Sequence, residues 1–287
     1  MKSILPLGLF ATAFHLGALA AEPEAADKSK YNLFNPTPDA LMRDMSPDRP
    51  DKTDSAKTVD AGHFQWELDF FNFGRFSDTD NGVTTRTDVY QAAPMNVKVG
   101  LLNSVDFQVQ FAPYSWEFER TTPPGTETRV SGFGDVMPRL KVNLMGNDGG
   151  GFAIAAMPFV KLPTGRPNFG NGSIEGGLKI PYSFEVPGME LSFQTEIDWN
   201  RDVVGTRYHA DIVNSVSAGL PVWGKLSYYV EVFTDVSTDR NIGFISTFDT
   251  WVTYSVNKNL RLEAGVYIGL TKASEQLHPF IGMSFRY

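Results

Sequence analysis

An all-β chain, folded as a transmembrane antiparallel up-and-down β-barrel of about twelve strands, is predicted by three features of this 287-residue sequence. Apolar and polar residues alternate with a period of two in about a dozen segments, so each segment separates a greasy face from a polar one. The last stretch, 276–287, keeps that rhythm to its final residue: Leu277, Pro279, Ile281, Met283, Phe285 and Tyr287 alternate with His278, Phe280, Gly282, Ser284 and Arg286. An unpaired apolar edge of this kind invites association with other chains, and closure against the first strand removes the edge. Connections also alternate in length. Short turns near Asn103, Asn147, Pro187, Val222 and Lys258 take turns with mostly longer loops near Asp80, Pro124, Asn168 and Thr238, as periplasmic turns and external loops do.

The strands can be read in order. The first, about His63–Phe73, sends Phe64, Trp66, Leu68 and Phe70 one way and Gln65, Glu67 and Asp69 the other; an outward carboxylate in lipid would be costly, so the charged side is the interior. A polar loop is expected over Gly74–Thr84. The second strand ends with Met95, Val97, Val99 and Leu101 outward and Asn96, Lys98 and Gly100 inward, and Leu102–Ser104 turns into the third, where Val105, Phe107, Val109 and Phe111 oppose Asp106, Gln108 and Gln110. The fourth places Val136, Pro138, Leu140, Val142 and Leu144 outward, with a bulge expected where Pro138 removes a ladder donor. Eight further segments follow, through Phe152–Val160, Leu178–Val186, Leu191–Trp199, Tyr208–Leu220, Leu226–Val232, Phe244–Val256, Leu260–Ile268 and the terminal stretch. An even count puts both termini of the barrel chain on one side of the membrane.

Ahead of the strands, Lys2, the apolar run Ile4–Leu19 and Ala18-Leu19-Ala20 have the pattern of an export signal, with cleavage expected after residue 20. The sequence holds no cysteine, which excludes a lipid-modified cysteine and a disulfide framework. Residues 21–62 are rich in Ala, Asp, Glu, Lys and Pro. They read as a flexible periplasmic leader with short helical pieces near Leu41–Met45, or as a plug folded into the lumen. No later run is long and apolar enough for a membrane helix.

Inward positions carry the candidate lumen-lining and solute-binding residues: Glu67, Asp69, Arg86, Asp88, Tyr90, Arg139, Lys141, Lys179, Glu196, Asp198, His209, Asp211, Glu231, Trp251, Arg261 and Glu263. Acids and bases nearly balance, which predicts weak ion selectivity or a lumen crossed by ion pairs. Aromatic residues on the same register, including Tyr114, Trp116, Phe118, Phe159, Tyr229, Tyr267 and Phe280, form either a path for an apolar solute or plain filler. A lipid hydrolase is the competing class, but the chain past the signal has only His63, His209 and His278 to supply a base, and no G-x-S-x-G signature. His209 with Asp211 reads as a structural pair. No metal-ligand spacing stands out along the chain, and no cofactor is expected. The net charge of −8 argues against a nucleic-acid partner. Expected partners are membrane lipid and lipopolysaccharide, the outer-membrane assembly machinery acting through the C-terminal strand, and a small-molecule solute, in the outer membrane of a Gram-negative bacterium.

Three motifs carry a family resemblance. Pro47-Asp48-Arg49-Pro50-Asp51-Lys52-Thr53-Asp54-Ser55, continued by Thr58-Val59 and Gly62-His63-Phe64-Gln65-Trp66-Glu67, resembles the opening of the MetA-like outer-membrane transporters associated with phenol degradation. Gly132-Phe133-Gly134-Asp135 leading to Leu140-Lys141, and Lys161-Leu162-Pro163-Thr164-Gly165, are similar to internal landmarks of that family. The resemblance covers about residues 47–287. It implies a transport-like barrel for aromatic or other small hydrophobic compounds and brings no catalytic residues; the residues themselves are read as a channel passing small solutes passively, with a non-conducting structural barrel as the alternative.

Overall fold

A computed structural model describes residues 27–167 and 169–287; the expected export signal lies outside them. The strands are β1 (Phe64–Asp80), β2 (Val83–Ala92), β3 (Met95–Leu102), β4 (Val105–Phe111), β5 (Tyr114–Thr122), β6 (Thr126–Gly132), β7 (Met137–Met145) and β8 (Phe152–Lys161). They continue as β9 (Glu175–Val186), β10 (Met189–Arg201), β11 (Tyr208–Trp223), β12 (Leu226–Ser237), β13 (Ile245–Asn257), β14 (Leu260–Gly269) and β15 (Leu277–Arg286). All belong to one antiparallel sheet, which β15 closes by pairing with β1.

The lower half of β1 pairs with β3 (Trp66 opposite Val97) and its upper half with β2 (Phe73 opposite Tyr90). In the same way β4 lies between β3 and β7, and β5 between β2 and β6. Each of β2–β3, β4–β5 and β6–β7 is therefore one barrel strand broken part-way, and the closed barrel has twelve. Pro94 and Pro113 stand in two of the breaks, where a residue without N–H cannot continue the ladder. At the seam, Phe64 N donates to Tyr287 O (2.9 Å) and Tyr287 N to Phe64 O (2.8 Å), and the rings of Trp66 and Phe285 stack at 6.2 Å. This pairing closes the wall at the seam, where an open edge would leave backbone groups in lipid; β6, paired with β5 alone, keeps its other edge outside the ladder.

The distribution of side chains is that of a soluble protein turned inside out. The largest fully buried side chains include Lys98, Lys141, Gln65, Gln108, Gln194, Glu67 and Glu231, while Phe64, Trp66, Phe107, Leu140, Ile212, Val216, Val252 and Ile281 are exposed on the outer wall. Charged groups almost never fill a core unless paired, and large apolar residues do not cover a surface facing water. Lipid outside and a polar lumen inside satisfy both faces.

Several expectations are corrected. The loop expected over Gly74–Thr84 is ladder almost throughout: β1 and β2 run on to the two-residue turn Asn81-Gly82, with φ of 49° and 79°. An Asn-Gly pair accepts positive φ at both positions, as a tight hairpin between right-twisted strands requires. Phe70 and Phe71 both face outward across a register shift between Asp69 and Phe71. The phase of alternation therefore flips in the upper barrel. Ala93, with φ of 52°, makes the same adjustment between β2 and β3.

Arg86, Asp88 and Tyr90 consequently lie on the outer face. Tyr90 is opposite Phe73 and Asp88 opposite Arg75, and Arg75 is in turn opposite the outward Leu277. Tyr114, Trp116 and Phe118 follow them outward, opposite Ala92, Tyr90 and Asp88. Phe71, Phe73, Tyr90 and Phe118 form a chain of ring contacts with centroids 4.9–5.9 Å apart, below the pairs that Asp88 makes with Arg75 (2.8 Å) and Arg86 (2.7 Å). Amphipathic rings with charges beyond them mark a membrane interface.

No bulge occurs at Pro138: Val136 faces Leu162 and Arg139 faces Phe159 in one unbroken register, and the shift falls between Asn143 and Met145. The helical pieces expected near Leu41–Met45 amount to one 3-10 turn, Asp39–Leu41.

Candidate functional site

The lumen is organised by residues 46–59, which enter between the wall strands and return. Pro47 and Pro50 lack N–H groups, so this stretch cannot pair as a strand, and it closes on itself through short polar contacts. Ser55 N donates to Asp48 Oδ1 (2.9 Å), and the hydroxyls of Ser46 and Ser55 are 2.6 Å apart. Residues 48–54 form the tip.

Its charges meet opposite charges on the wall. Asp48 receives Lys98 Nζ at 2.8 Å and Lys141 Nζ, with an Arg139 nitrogen at 3.9 Å; Lys98 also holds Glu67 at 3.0 Å. Asp54 bonds Arg139 at 3.2 Å and Lys179 at 3.0 Å. Arg49 is paired with Asp69 and lies 3.6 Å from Glu263, while Lys52 Nζ is 3.1 Å from Asp249 and over the rings of Phe233 and Tyr267. Glu231 accepts from the backbone N–H groups of Lys52 (3.0 Å) and Thr53 (2.9 Å). At tip level the bases sit on β3, β7 and β9, and the acids Asp69, Glu231, Asp249 and Glu263 on β1, β12, β13 and β14. The signs are thus gathered in part, with Glu67 and Glu196 paired into the basic side and Arg261, on β14, standing on the acidic one. Buried charges of this kind persist only when paired.

A second cluster fastens the segment at the barrel end that carries Phe64 and Tyr287. Lys28 and Arg43 hold Asp148 at 2.6 and 2.9 Å, Asn103 Nδ2 donates to it at 2.6 Å, and Arg286 reaches Asp60 at 3.4 Å. Burial pushes the Asp148 carboxyl up, but the Lys28 and Asn103 hydrogen bonds and the Arg43 charge outweigh it and hold it below the ordinary carboxylate value. A lowered folded-state value contributes stability above the unfolded value and loses it as pH falls through the folded one. The difference in melting temperature between the wild type and Asp148→Asn is therefore present at pH 6 and closes below about pH 3.9. A difference independent of pH would show that this carboxylate is not a charge partner of the segment.

The expected lining residues fall into four groups. Glu67, Asp69, Arg139, Lys141, Lys179, Glu231, Arg261 and Glu263 meet residues 45–54, Arg261 through the Met45 carbonyl at 3.2 Å. Glu196 pairs with Lys179 at 3.3 Å, and Asp198 stands beside it on β10. Trp251 stacks on Tyr229 at 5.2 Å on the lower wall, and His209 with Asp211 lies above the tip near the far rim. Arg86, Asp88 and Tyr90 are outside the lumen altogether. The partners missing from the expected set are Asp48, Arg49, Lys52, Thr53 and Asp54. Five charges in the seven residues after Pro47, ahead of a wall with inward charges of both signs, was the available signal.

The tip divides the interior. Toward the end with the short turns lies a cavity of about 650 Å³, lined among others by Arg43, Asp51, Glu190, Tyr229, Trp251 and Arg261. On the other side is one of about 370 Å³, lined by Arg139, Lys179, Glu196, Asp198, Phe233 and Tyr267 among others. Pro50 and Asp51 border both. Among the described residues, His63 bonds the Thr37 carbonyl (2.7 Å), His278 bonds Glu275 (2.7 Å) and His209 bonds Asp202 (3.1 Å).

Comparison with known proteins agrees with this architecture. The COG4313 outer membrane channel from Pseudomonas putida F1 superposes with a TM-score of 0.58 at 11% identity, covering 83% of this chain and 99% of that one. The NanC porin gives a TM-score of 0.47 at 10% identity, over 76% of this chain and 98% of that one. No curated protein sequence matches. The fold is that of an outer-membrane β-barrel. With residues 47–287 matched, from the PDRPDKTDS segment at the tip to the closing strand, the chain belongs to the family described as "Putative MetA-pathway of phenol degradation".

Proposed function

We propose that this protein is a passive outer-membrane channel for small aromatic or apolar solutes, closed at rest by residues 46–59. The observation that carries the reading is the pair of cavities, about 650 and 370 Å³, which share Pro50 and Asp51 as a border. The obstruction is a displaceable segment and not the wall itself. Each cavity offers aromatic surface beside charge, Tyr229 with Trp251 and Arg261 below, and Phe233 with Tyr267 and Lys179 above. Such surroundings suit a solute with a flat apolar body and one polar end. In this reading residues 1–20 direct export and are removed, and the C-terminal strand engages the assembly machinery in a Gram-negative cell. Lipid and lipopolysaccharide surround the outer wall.

A non-conducting barrel is the second reading, favoured by the buried cluster around Asp48, whose Lys98, Lys141 and Arg139 partners hold the tip firmly. Liposome uptake separates the two. Replacing residues 46–59 with a Gly/Ser linker should raise uptake of a small phenol at least tenfold, with a smaller rise for a sugar of similar size. No uptake of either solute, with the segment present or replaced, would leave the structural barrel as the function.

A further inference from the structure

Above the tip, at the rim opposite the short turns, two residues of the β10–β11 hairpin meet a third from the β12–β13 loop. Asp202 opens the loop 202–207, His209 begins β11, and Asp239 lies in the loop 238–244. One potential ligand atom from each lies within 4.8 Å of the others. His209 Nδ1 is 3.1 Å from Asp202 Oδ1. Asp239 accepts from Asn241 N (2.9 Å) and Nδ2 (2.8 Å) through Oδ1, and from Val203 N (3.4 Å) through Oδ2, so it already bridges the two loops.

The ring behind them points the same way. His209 is 8% exposed, and its Nε2 has no hydrogen bond; the nearest acceptor, Asp211 Oδ1 at 3.4 Å, has none either, on a residue only 5% exposed. An imidazole that directs one nitrogen to a cation and the other N–H to a carboxylate is the usual arrangement around a bound metal, because the carboxylate fixes the tautomer and raises the basicity of the ligand. Asp198 and Asp235 also each carry a buried oxygen without a partner. Arg201, the neighbouring base, turns away to the Gly205 carbonyl (3.2 Å) and the Tyr208 ring. Arg207 and Arg240, in the same two loops, are exposed and make no ion pair among the described residues, so these carboxylates have no Arg or Lys partner.

We propose that Asp202, His209 and Asp239 bind one divalent transition-metal ion, which staples the β10–β11 loop to the β12–β13 loop. An imidazole with two carboxylates suits zinc or a similar ion better than calcium or magnesium, which take oxygen ligands. Zinc bonds of 2.0–2.2 Å need the three atoms to approach by roughly an ångström, which side-chain rotation in two surface loops supplies. Asp211 is a positioning residue that orients the ring. The ion sits over the 370 Å³ cavity, whose lining includes Asp198 and Asp235, and lowers the negative charge at the mouth.

Equilibrium dialysis of the full chain in detergent, without a polyhistidine tag and stripped with chelator, tests this with zinc as the probe and does not depend on whether the barrel conducts. One zinc per chain is expected, with affinity at least tenfold weaker in Asp202→Asn and in Asp239→Asn and unchanged in Asp148→Asn at the opposite end. Zinc should also slow tryptic cleavage after Arg207 in the wild type and not in the double variant. Both aspartates lie in rim loops outside the sheet, so the barrel should assemble in each. Absence of saturable zinc binding, or an unchanged affinity in the double variant, overturns the proposal.

Discussion

Asp48→Asn should turn a quiet barrel into a conducting one. The substitution keeps the size and the acceptor for Ser55 N but removes the charge that faces Lys98, Lys141 and Arg139. Asp48 and its three partners are all nearly inaccessible to solvent. Breaking a buried charge cluster from one side costs about 3–5 kcal/mol, because the remaining cations keep their desolvation cost and lose their compensation. The wall is held by its ladders, so the cheaper relief is for the tip to leave and water to enter. In planar bilayers we expect frequent openings for Asp48→Asn, while Asp27→Asn, at an exposed site, behaves as wild type. If Asp48→Asn is as silent as the wild type but its barrel melts earlier, the tip is structural filler and not a movable barrier.

The other large effect concerns the outer wall. Val216 lies mid-way along β11 with Phe193 and Val232 opposite it, and all three face lipid in this reading. Val216→Arg places a guanidinium near the bilayer midplane, which costs about 2–4 kcal/mol for a barrel, whereas Val222→Arg, close to the Gly224 turn, costs about 0–1 kcal/mol. Urea unfolding in lipid vesicles should show this depth dependence. In a water-soluble β-structure both positions are surface sites and both changes would fall within about 0.5 kcal/mol, so equal small effects would remove the membrane assignment.

How much of this was legible in the sequence differs between the lower and upper barrel. Below the breaks, parity alone assigns Gln65, Glu67, Lys98, Asp106, Gln108, Arg139 and Lys141 to the interior, and all are buried there. Above them the same rule misplaced Arg86, Asp88, Tyr90, Tyr114, Trp116 and Phe118, because one extra residue near Phe70 and another near Ala93 invert the phase. Ala93-Pro94 was the visible warning, since proline interrupts a ladder. The Asn81-Gly82 turn was equally readable as a hairpin tip, yet the polar residues around it looked like loop.

The sequence by itself determined that this is a closed sheet of alternating faces with its greasy side outward, since a period of two and an apolar last strand have few other solutions in a membrane. What fills the lumen was decided by the tertiary structure. Asp48, Arg49, Lys52 and Asp54 meet partners from Lys98 to Glu263, and local pattern carries no information about which distant charges share one space. Asp202 and His209 are brought together by the local β10–β11 hairpin, but Asp239 joins them only when β12 pairs with β11.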